Sequence, residues 1–194
     1  MKTKLNTAKK KAKELKLDNQ THFELCDYRA VKDKFQKIVS VGAFEHFGKK
    51  FYKTFFKKIH NIMTNDGICL LHTIGSVNAP KSPHPFITKK IFPGGIIPSL
   101  SDLISPIEKT GLILADCETL IHHYDKTLKA WLDRFLKNKD KAKFLYDREF
   151  VRMWEFYLAS CSAAFKFRDL VVYQLQLVKN FTALPSNRRN YIYQ

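Results

Sequence analysis

Hydrophobic positions along this chain follow two periods. Tyr52, Phe55, Phe56, Ile59, Ile62 and Met63 recur at intervals of three and four, with Lys53, Lys57 and Lys58 between them. One helical face would be apolar and the other cationic, so the stretch predicts an amphipathic helix. The same spacing marks Asp125–Leu136, through Leu128, Trp131, Leu132 and Phe135. It recurs in Asp147–Phe165, through Phe150, Trp154, Tyr157, Leu158, Cys161 and Phe165. The Tyr and Trp side chains of these helices are expected in the core. Lys2–Leu17 places Leu5, Ala8, Ala12 and Leu15 at helical spacing in a lysine-rich run and predicts a surface helix; Ser101–Thr110 predicts another helix. Short β-branched and aromatic runs predict strands at His22–Tyr28, Phe35–Val41, Ile68–Ile74, Leu112–Leu120 and Leu170–Val178.

The order of these elements sets the fold class. The run Lys37-Ile-Val-Ser-Val-Gly42 is nearly all apolar, as in a strand covered on both faces of a parallel sheet. A helix follows, then Asn65-Asp66-Gly67 as a turn, then another apolar strand. Strand, helix and strand in succession imply a right-handed βαβ crossover and a parallel α/β sheet. Val77–Ser105 reads as a loop holding most of the prolines, and a loop that long inside a domain usually carries function. From Leu184 onward the chain is a polar tail, expected to fray.

Charge narrows the partners. The formal net charge is +16, from 34 basic and 18 acidic residues, and 27 of the basic ones are lysine. Such a surface favours polyanions, nucleic acid or anionic lipid, and the scarcity of arginine argues against base-specific readout. Cys26, Cys69, Cys117 and Cys161 are widely spaced, which fits reduced thiols and neither a zinc site nor a disulfide framework. No apolar run reaches the ~18 residues that span a bilayer. The expected location is the cytoplasm, peripheral to the inner face of the membrane.

No GxGxxG, GxxxxGK[ST], HExxH or GxSxG occurs, and the first glycine is Gly42. Polar groups instead cluster after predicted strands: Glu45 and His46, then His72, then His122, His123 and Tyr124. Ligands of open α/β sheets bind outside the carboxyl ends of strands, so these residues suit a small-anion or proton-transfer site. The competing reading has Glu45 and His46 solvating a loop and His72 satisfied in the core. Cys161, on an apolar helical face, reads as an inert thiol.

Several segments then resemble one family. Val39-Ser-Val-Gly-Ala-Phe-Glu-His-Phe-Gly48 is similar to the SxGxFEHxG motif of cyclopropane-fatty-acyl-phospholipid synthases and mycolic acid cyclopropane synthases. Leu70-Leu-His-Thr-Ile-Gly75 resembles their LLHTI motif, and Ile91-Phe-Pro-Gly-Gly-Ile-Ile-Pro-Ser99 their IFPxGxxPS loop. His123-Tyr-Asp-Lys-Thr-Leu128 resembles HYxxTL, and Tyr157-Leu-Ala-Ser-Cys161 resembles YLxxC. The motifs stand in family order between about Asp27 and Val178. The resemblance implies a class I S-adenosylmethionine-dependent (SAM-dependent) methyltransferase fold with a Rossmann-like sheet. It also implies methylene addition to the cis double bond of a lipid acyl chain. The alkene would attack the sulfonium methyl, a carbocation would form, and a bound bicarbonate would take a proton as the ring closes.

By the same resemblance, Glu45, His72, Ile74 and Tyr124 hold the bicarbonate, with Cys161 nearby, and Asp27, Tyr28, Arg29 and Val41 contact SAM. Methyl transfer to an alkene needs no protein nucleophile, so a covalent role for Cys161 is not expected. The implied partners are unsaturated phospholipids at an anionic surface, with Phe86–Ile97 as a lipid gate, and a homodimer or a complementing N-terminal half. A non-catalytic basic module and a methyltransferase making methyl-branched chains are the alternatives. The chain departs from the family at its start. The strand with a glycine-rich cofactor loop and an N-terminal bicarbonate-binding cysteine are missing, so the partial methyltransferase domain, 1–183, is expected to be N-terminally truncated and inactive alone.

Overall fold

The computed structural model describes residues 2–184 and 189–192. The chain divides into two compact units, Met1–Asp33 and Lys34–Gln194. In the first, helix α1 (Lys2–Glu14) forms where the spacing predicts it. It ends where Lys16 adopts a left-handed φ of 56° and Leu17 N–H returns to the Ala12 carbonyl at 2.8 Å. The strand predicted at His22–Tyr28 does not form. Asp27 instead accepts from Arg29 N–H at 2.9 Å, and Tyr28–Ala30 winds into a 3₁₀ turn. That local side-chain bond offers the backbone an alternative to ladder pairing.

The second unit carries strands β1 (Phe35–Val41), β2 (Met63–Ser76), β3 (Ile113–Leu120) and β4 (Leu170–Val178) in the order β1-β2-β4-β3. Strands β1 and β2 are parallel and joined by α2 (Tyr52–Ile62), the expected βαβ unit. Strand β4 lies antiparallel to both β2 and β3, so the sheet is mixed rather than parallel. The cause is a short link. Only Arg168 and Asp169 separate α6 (Arg148–Phe167) from β4, so β4 starts beside Ser76 and runs back along β2.

Asn65-Asp66-Gly67 does not precede β2 but lies inside it. Phe35 pairs with Met63 and Lys37 with Ile68, so residues 64–67 oppose Gln36 alone. Gln36 Nε2 donates to Asp66 Oδ2 at 3.0 Å, and the turn chemistry makes a bulge. The double-sided cover expected for β1 is also corrected. Val39 and Val41 are 64% and 62% exposed, and β1 is an edge strand among the described residues.

Under the sheet, Phe44, Tyr52, Phe55 and Phe56 are buried together, with Phe44 stacked on Tyr52 at 4.4 Å. On the other side α4 (His123–Lys137) packs with α6 around Leu128, Leu158 and Phe165. A short helix, α5 (Lys139–Leu145), joins them; its KDKAKFL sequence has no apolar stripe to announce it. The helix aromatics divide: Tyr52 and Tyr157 are core, whereas Trp131 is exposed, contrary to expectation.

The proline-rich segment holds a π-helical turn, Ile87–Ile91, before α3 (Leu100–Glu108). Ser99 and Asp102 form a reciprocal capping box, Ser99 Oγ accepting from Asp102 N–H at 3.3 Å and Asp102 Oδ2 accepting from Ser99 N–H at 3.1 Å. Ser99→Ala is expected to lower stability by about 1 kcal/mol, read as a shift in urea midpoint. An unchanged midpoint would mean that α3 is held by packing alone.

Candidate active site

The site grows from the end of β1. Gly42 takes a φ of 64°, which glycine adopts without strain, and turns the chain into the 3₁₀ turn Phe44–His46. Phe44 plugs into the aromatic core and so fixes Glu45 beside it. Glu45 Oε1 accepts from Ile74 N–H at 2.7 Å and from Thr73 Oγ1 at 2.9 Å. Its other oxygen, Oε2, is buried with no hydrogen-bond partner among the described residues. A buried carboxylate oxygen in that state is costly and is usually explained by a ligand or solvent donor.

Glu45 lines a cavity of ≈ 270 Å³ with Ile74, Tyr124 and Cys161. Its remaining wall is largely apolar, from Ile87, Phe92, Ile97, Phe165 and their neighbours. The predicted loop therefore reaches the site, and it is tied there. Ile96 N–H donates to the Glu45 carbonyl at 2.8 Å, and Ser76 N–H to the Pro98 carbonyl at 2.9 Å. Burial raises the Tyr124 phenol above its ordinary value, and the charges of Glu45 and Cys161 add to this. Burial also lifts the Cys161 thiol to about 11, although the Ser160 hydroxyl opposes it. Cys161 is thus a thiol at neutral pH, not an activated nucleophile.

Two acidic residues brace this arrangement, and neither stands out in the sequence. Asp125, next to Tyr124, accepts from Lys129 Nζ at 2.7 Å and from Ser162 Oγ, next to Cys161. The Lys129 bond comes first in lowering its carboxyl, with Ser162 second. Asp169 is buried and accepts from Ser76 Oγ at 2.9 Å and Lys81 Nζ at 2.5 Å. Burial pushes its carboxyl up most strongly, but Lys81 and Ser76 together outweigh burial and hold it below the usual range. A folded value below the unfolded one stabilises fully above about pH 4 and is lost as pH falls through the folded value. Asp169→Asn is therefore expected to lower the urea midpoint at neutral pH, with the difference closing in acid. A difference that persists at about pH 2 would assign the effect to packing.

Among the other predicted residues of this unit, only His46 reaches the cavity wall. His72 stands opposite Val41 and Gln174, on the same face of β2 as Ile74, but is not in the cavity wall. His46 is in the wall, near Phe92. His122 takes a left-handed φ of 64° where α4 begins. Val41, exposed at the end of β1, precedes Gly42 of the wall. In the N-terminal unit, Arg29 chelates Asp27, Nε to Oδ1 at 2.9 Å and a terminal nitrogen to Oδ2 at 2.5 Å. The Arg29 bond lowers the Asp27 carboxyl to about 2. All four cysteines are free of disulfides. Among the described residues there is no acidic, His or Cys group that would hold a metal, and no helix long and apolar enough to cross a membrane.

The fold is that of a class I SAM-dependent methyltransferase, and comparison with known proteins gives the family. The model of the mycolic acid cyclopropane synthetase family matches residues 2–175, and the chain belongs to that family. The cyclopropane-fatty-acyl-phospholipid synthase of Escherichia coli strain K12 is 40% identical over 151 residues, covering 78% of this chain and 39% of that protein. Cyclopropane mycolic acid synthase 1 of Mycobacterium tuberculosis is 32% identical over 169 residues, covering 80% of this chain and 58% of that one. The solved cyclopropane synthase MmaA2 from M. tuberculosis superposes with a TM-score of 0.72 at 28% identity, over 87% of this chain and 66% of its own. The mycolic acid cyclopropane synthase CmaA1, complexed with SAH and CTAB, gives 0.72 at 30% identity, over 79% and 59%. The chain thus spans well under two thirds of the length of the curated relatives it matches.

Proposed function

We propose that this chain forms the acceptor side of a SAM-dependent methylene-transfer site acting on the cis double bond of a lipid acyl chain. The observation that carries the reading is Glu45, anchored through Oε1 by Thr73 and Ile74 and offering a buried, unpartnered Oε2 to a largely apolar cavity. The apolar wall suits an acyl chain, and the lone carboxylate oxygen suits a small group that carries a hydroxyl. Bicarbonate fits that description. When bound, it would supply the base for ring closure, and Glu45 Oε2 would hold it by accepting from its hydroxyl. Tyr124 is assigned as a donor to the anion, and its raised phenol keeps it protonated there.

Ile74 serves by holding Glu45, since its N–H is engaged at Oε1 rather than left for an anion. His72 enters the assignment on the LLHTI motif, as a further donor along β2. Cys161 contributes wall rather than a bond to substrate. SAM, when bound, supplies the methyl group, and Val41 and Gly42 mark where this chain would meet it. Tyr28 is proposed to cover the adenine ring, with Asp27 and Arg29 setting its turn. The substrate proposed is an unsaturated phospholipid in an anionic leaflet, reached by peripheral binding of the basic surface.

The four strands hold no glycine-rich turn after a strand preceding β1, the feature that gives Rossmann-like sheets their cofactor affinity. Incubated by itself with SAM and unsaturated phospholipid vesicles, the 194-residue chain is expected to leave the alkene unchanged. Clear cyclopropane formation in that sample would overturn the division of the site into two parts. The same lipid analysis separates a cyclopropane from a methyl branch, the product of the alternative reading.

A further inference from the structure

Large exposed apolar side chains gather at one corner. Phe144, Leu145 and Tyr146, at the end of α5, are 89%, 71% and 65% exposed. Single exposed apolar residues are ordinary, but a contiguous patch marks a membrane or protein contact. Lys137, Lys139, Lys141 and Lys143 precede the patch, with Asp140 as the one acid among them. Lys139 is held by Glu155 at 2.9 Å; the other three have no ion pair among the described residues.

The patch also connects to the cavity. Tyr146 stacks on Phe150 at 4.2 Å, Phe150 on Trp154 at 5.7 Å, and Trp154 meets Tyr157 at 5.1 Å. Tyr157 is a wall residue of the Glu45–Tyr124 cavity. A continuous aromatic ladder therefore runs along α6 from the exposed tip to the candidate site.

We propose that the tip of α5 docks on an anionic lipid bilayer and that the ladder guides an acyl chain from the leaflet to the cavity. Phe144 and Leu145 enter the boundary between headgroups and acyl chains, and Tyr146 sits at headgroup level, where amphipathic rings are favoured. The lysines face the anionic headgroups. Charge selects this occupant over a second copy, because a net charge of +16 and the flanking lysines would set like charges against each other across a dimer. The inference rests on the lipid-substrate reading above, but its test requires no turnover.

The test uses the whole chain and vesicles of phosphatidylglycerol with phosphatidylcholine, some carrying brominated acyl chains. In Phe144→Trp the added indole should shift to the blue and be quenched by bromine, relative to the parent's own Trp131 and Trp154. The indole of Phe181→Trp, at another strongly exposed site, should not respond. The double variant Phe144→Glu, Leu145→Glu should keep its circular dichroism and lose at least about tenfold in vesicle affinity, while added salt weakens the parent. Equal binding by parent and double variant, equal binding to neutral vesicles, or an unquenched indole at position 144 would each overturn the proposal. So would a dimer that depends on Phe144 and forms without vesicle binding. If binding behaves as expected but no methylene transfer is ever found, the cavity assignment fails and the docking surface stands. If binding fails, the cavity assignment is untouched.

Discussion

A Phe56→Ala chain is expected to lose about 3–5 kcal/mol of stability, measured by urea unfolding, the usual cost of emptying a fully buried aromatic site. Phe56 has no exposed surface and lies 5.6 Å from Phe44 and 5.3 Å from Phe55, ring to ring. Around it stand Tyr52 and Ile59, also buried, on a helix whose position is fixed by the sheet. The void cannot collapse cheaply, because closing it means moving α2 against β2. Small domains hold only about 5–15 kcal/mol in total, so the variant would sit near its unfolding threshold. The loss would also reach the site, since Phe44 is the neighbour of Glu45 and its packing sets where that carboxylate points. A cost below about 1 kcal/mol would show that the aromatic cluster is not the core of this unit.

The second large effect is chemical. Placed in the E. coli relative in exchange for its 151-residue matching segment, this chain would complete a full-length protein whose lipid products can be read. In that chimera Glu45→Gln is expected to lower methylene transfer by about 10²–10³-fold, the scale of one lost hydrogen bond to a group at the reacting centre. Glutamine has the same size and can still accept from Thr73 and Ile74 through its carbonyl oxygen, so the turn and the loop tied to it should survive. What it loses is the anionic Oε2, which becomes an NH₂ donor and can no longer accept a hydroxyl proton. Unfolding of the variant should match the parent. A variant of unchanged stability and unchanged rate would remove Glu45 from the chemistry and leave it as a structural anchor for β2.

Much of this architecture was legible from side-chain periodicity. The α2 stripe from Tyr52 to Met63 needed only local spacing, and the structure forms it within a residue. What failed depended on partners distant in sequence or on one local bond. Nothing in Leu170–Val178 says that it will lie between β2 and β3; that follows from where α6 ends. His22–Tyr28 has strand composition, but Asp27 spends its carboxylate on Arg29 and bends the chain. Asn65-Asp66-Gly67 is turn chemistry put to use as a bulge, which depends on the register with β1.

The site shows the same division. Glu45, Ile74, Tyr124 and Cys161 were identifiable from their motifs, and one cavity gathers them. Thr73 was missed because a threonine inside an apolar strand looks like strand propensity, not like a donor to a carboxylate. Asp125 and Ser162 were missed because they meet across two helices, 37 residues apart. The α5 tip was missed because Phe144-Leu-Tyr146 falls between the two periodic stretches, and only its exposure singles it out.

The central claim is that Glu45, Ile74 and Tyr124 complete a methylene-transfer site once the rest of a cyclopropane synthase is supplied. The most direct measurement is product analysis of the chimera incubated with SAM and unsaturated phospholipid. The account predicts cyclopropane acyl chains from the chimera and none from its Glu45→Gln variant. A folded chimera that binds SAM yet leaves every double bond intact would contradict it.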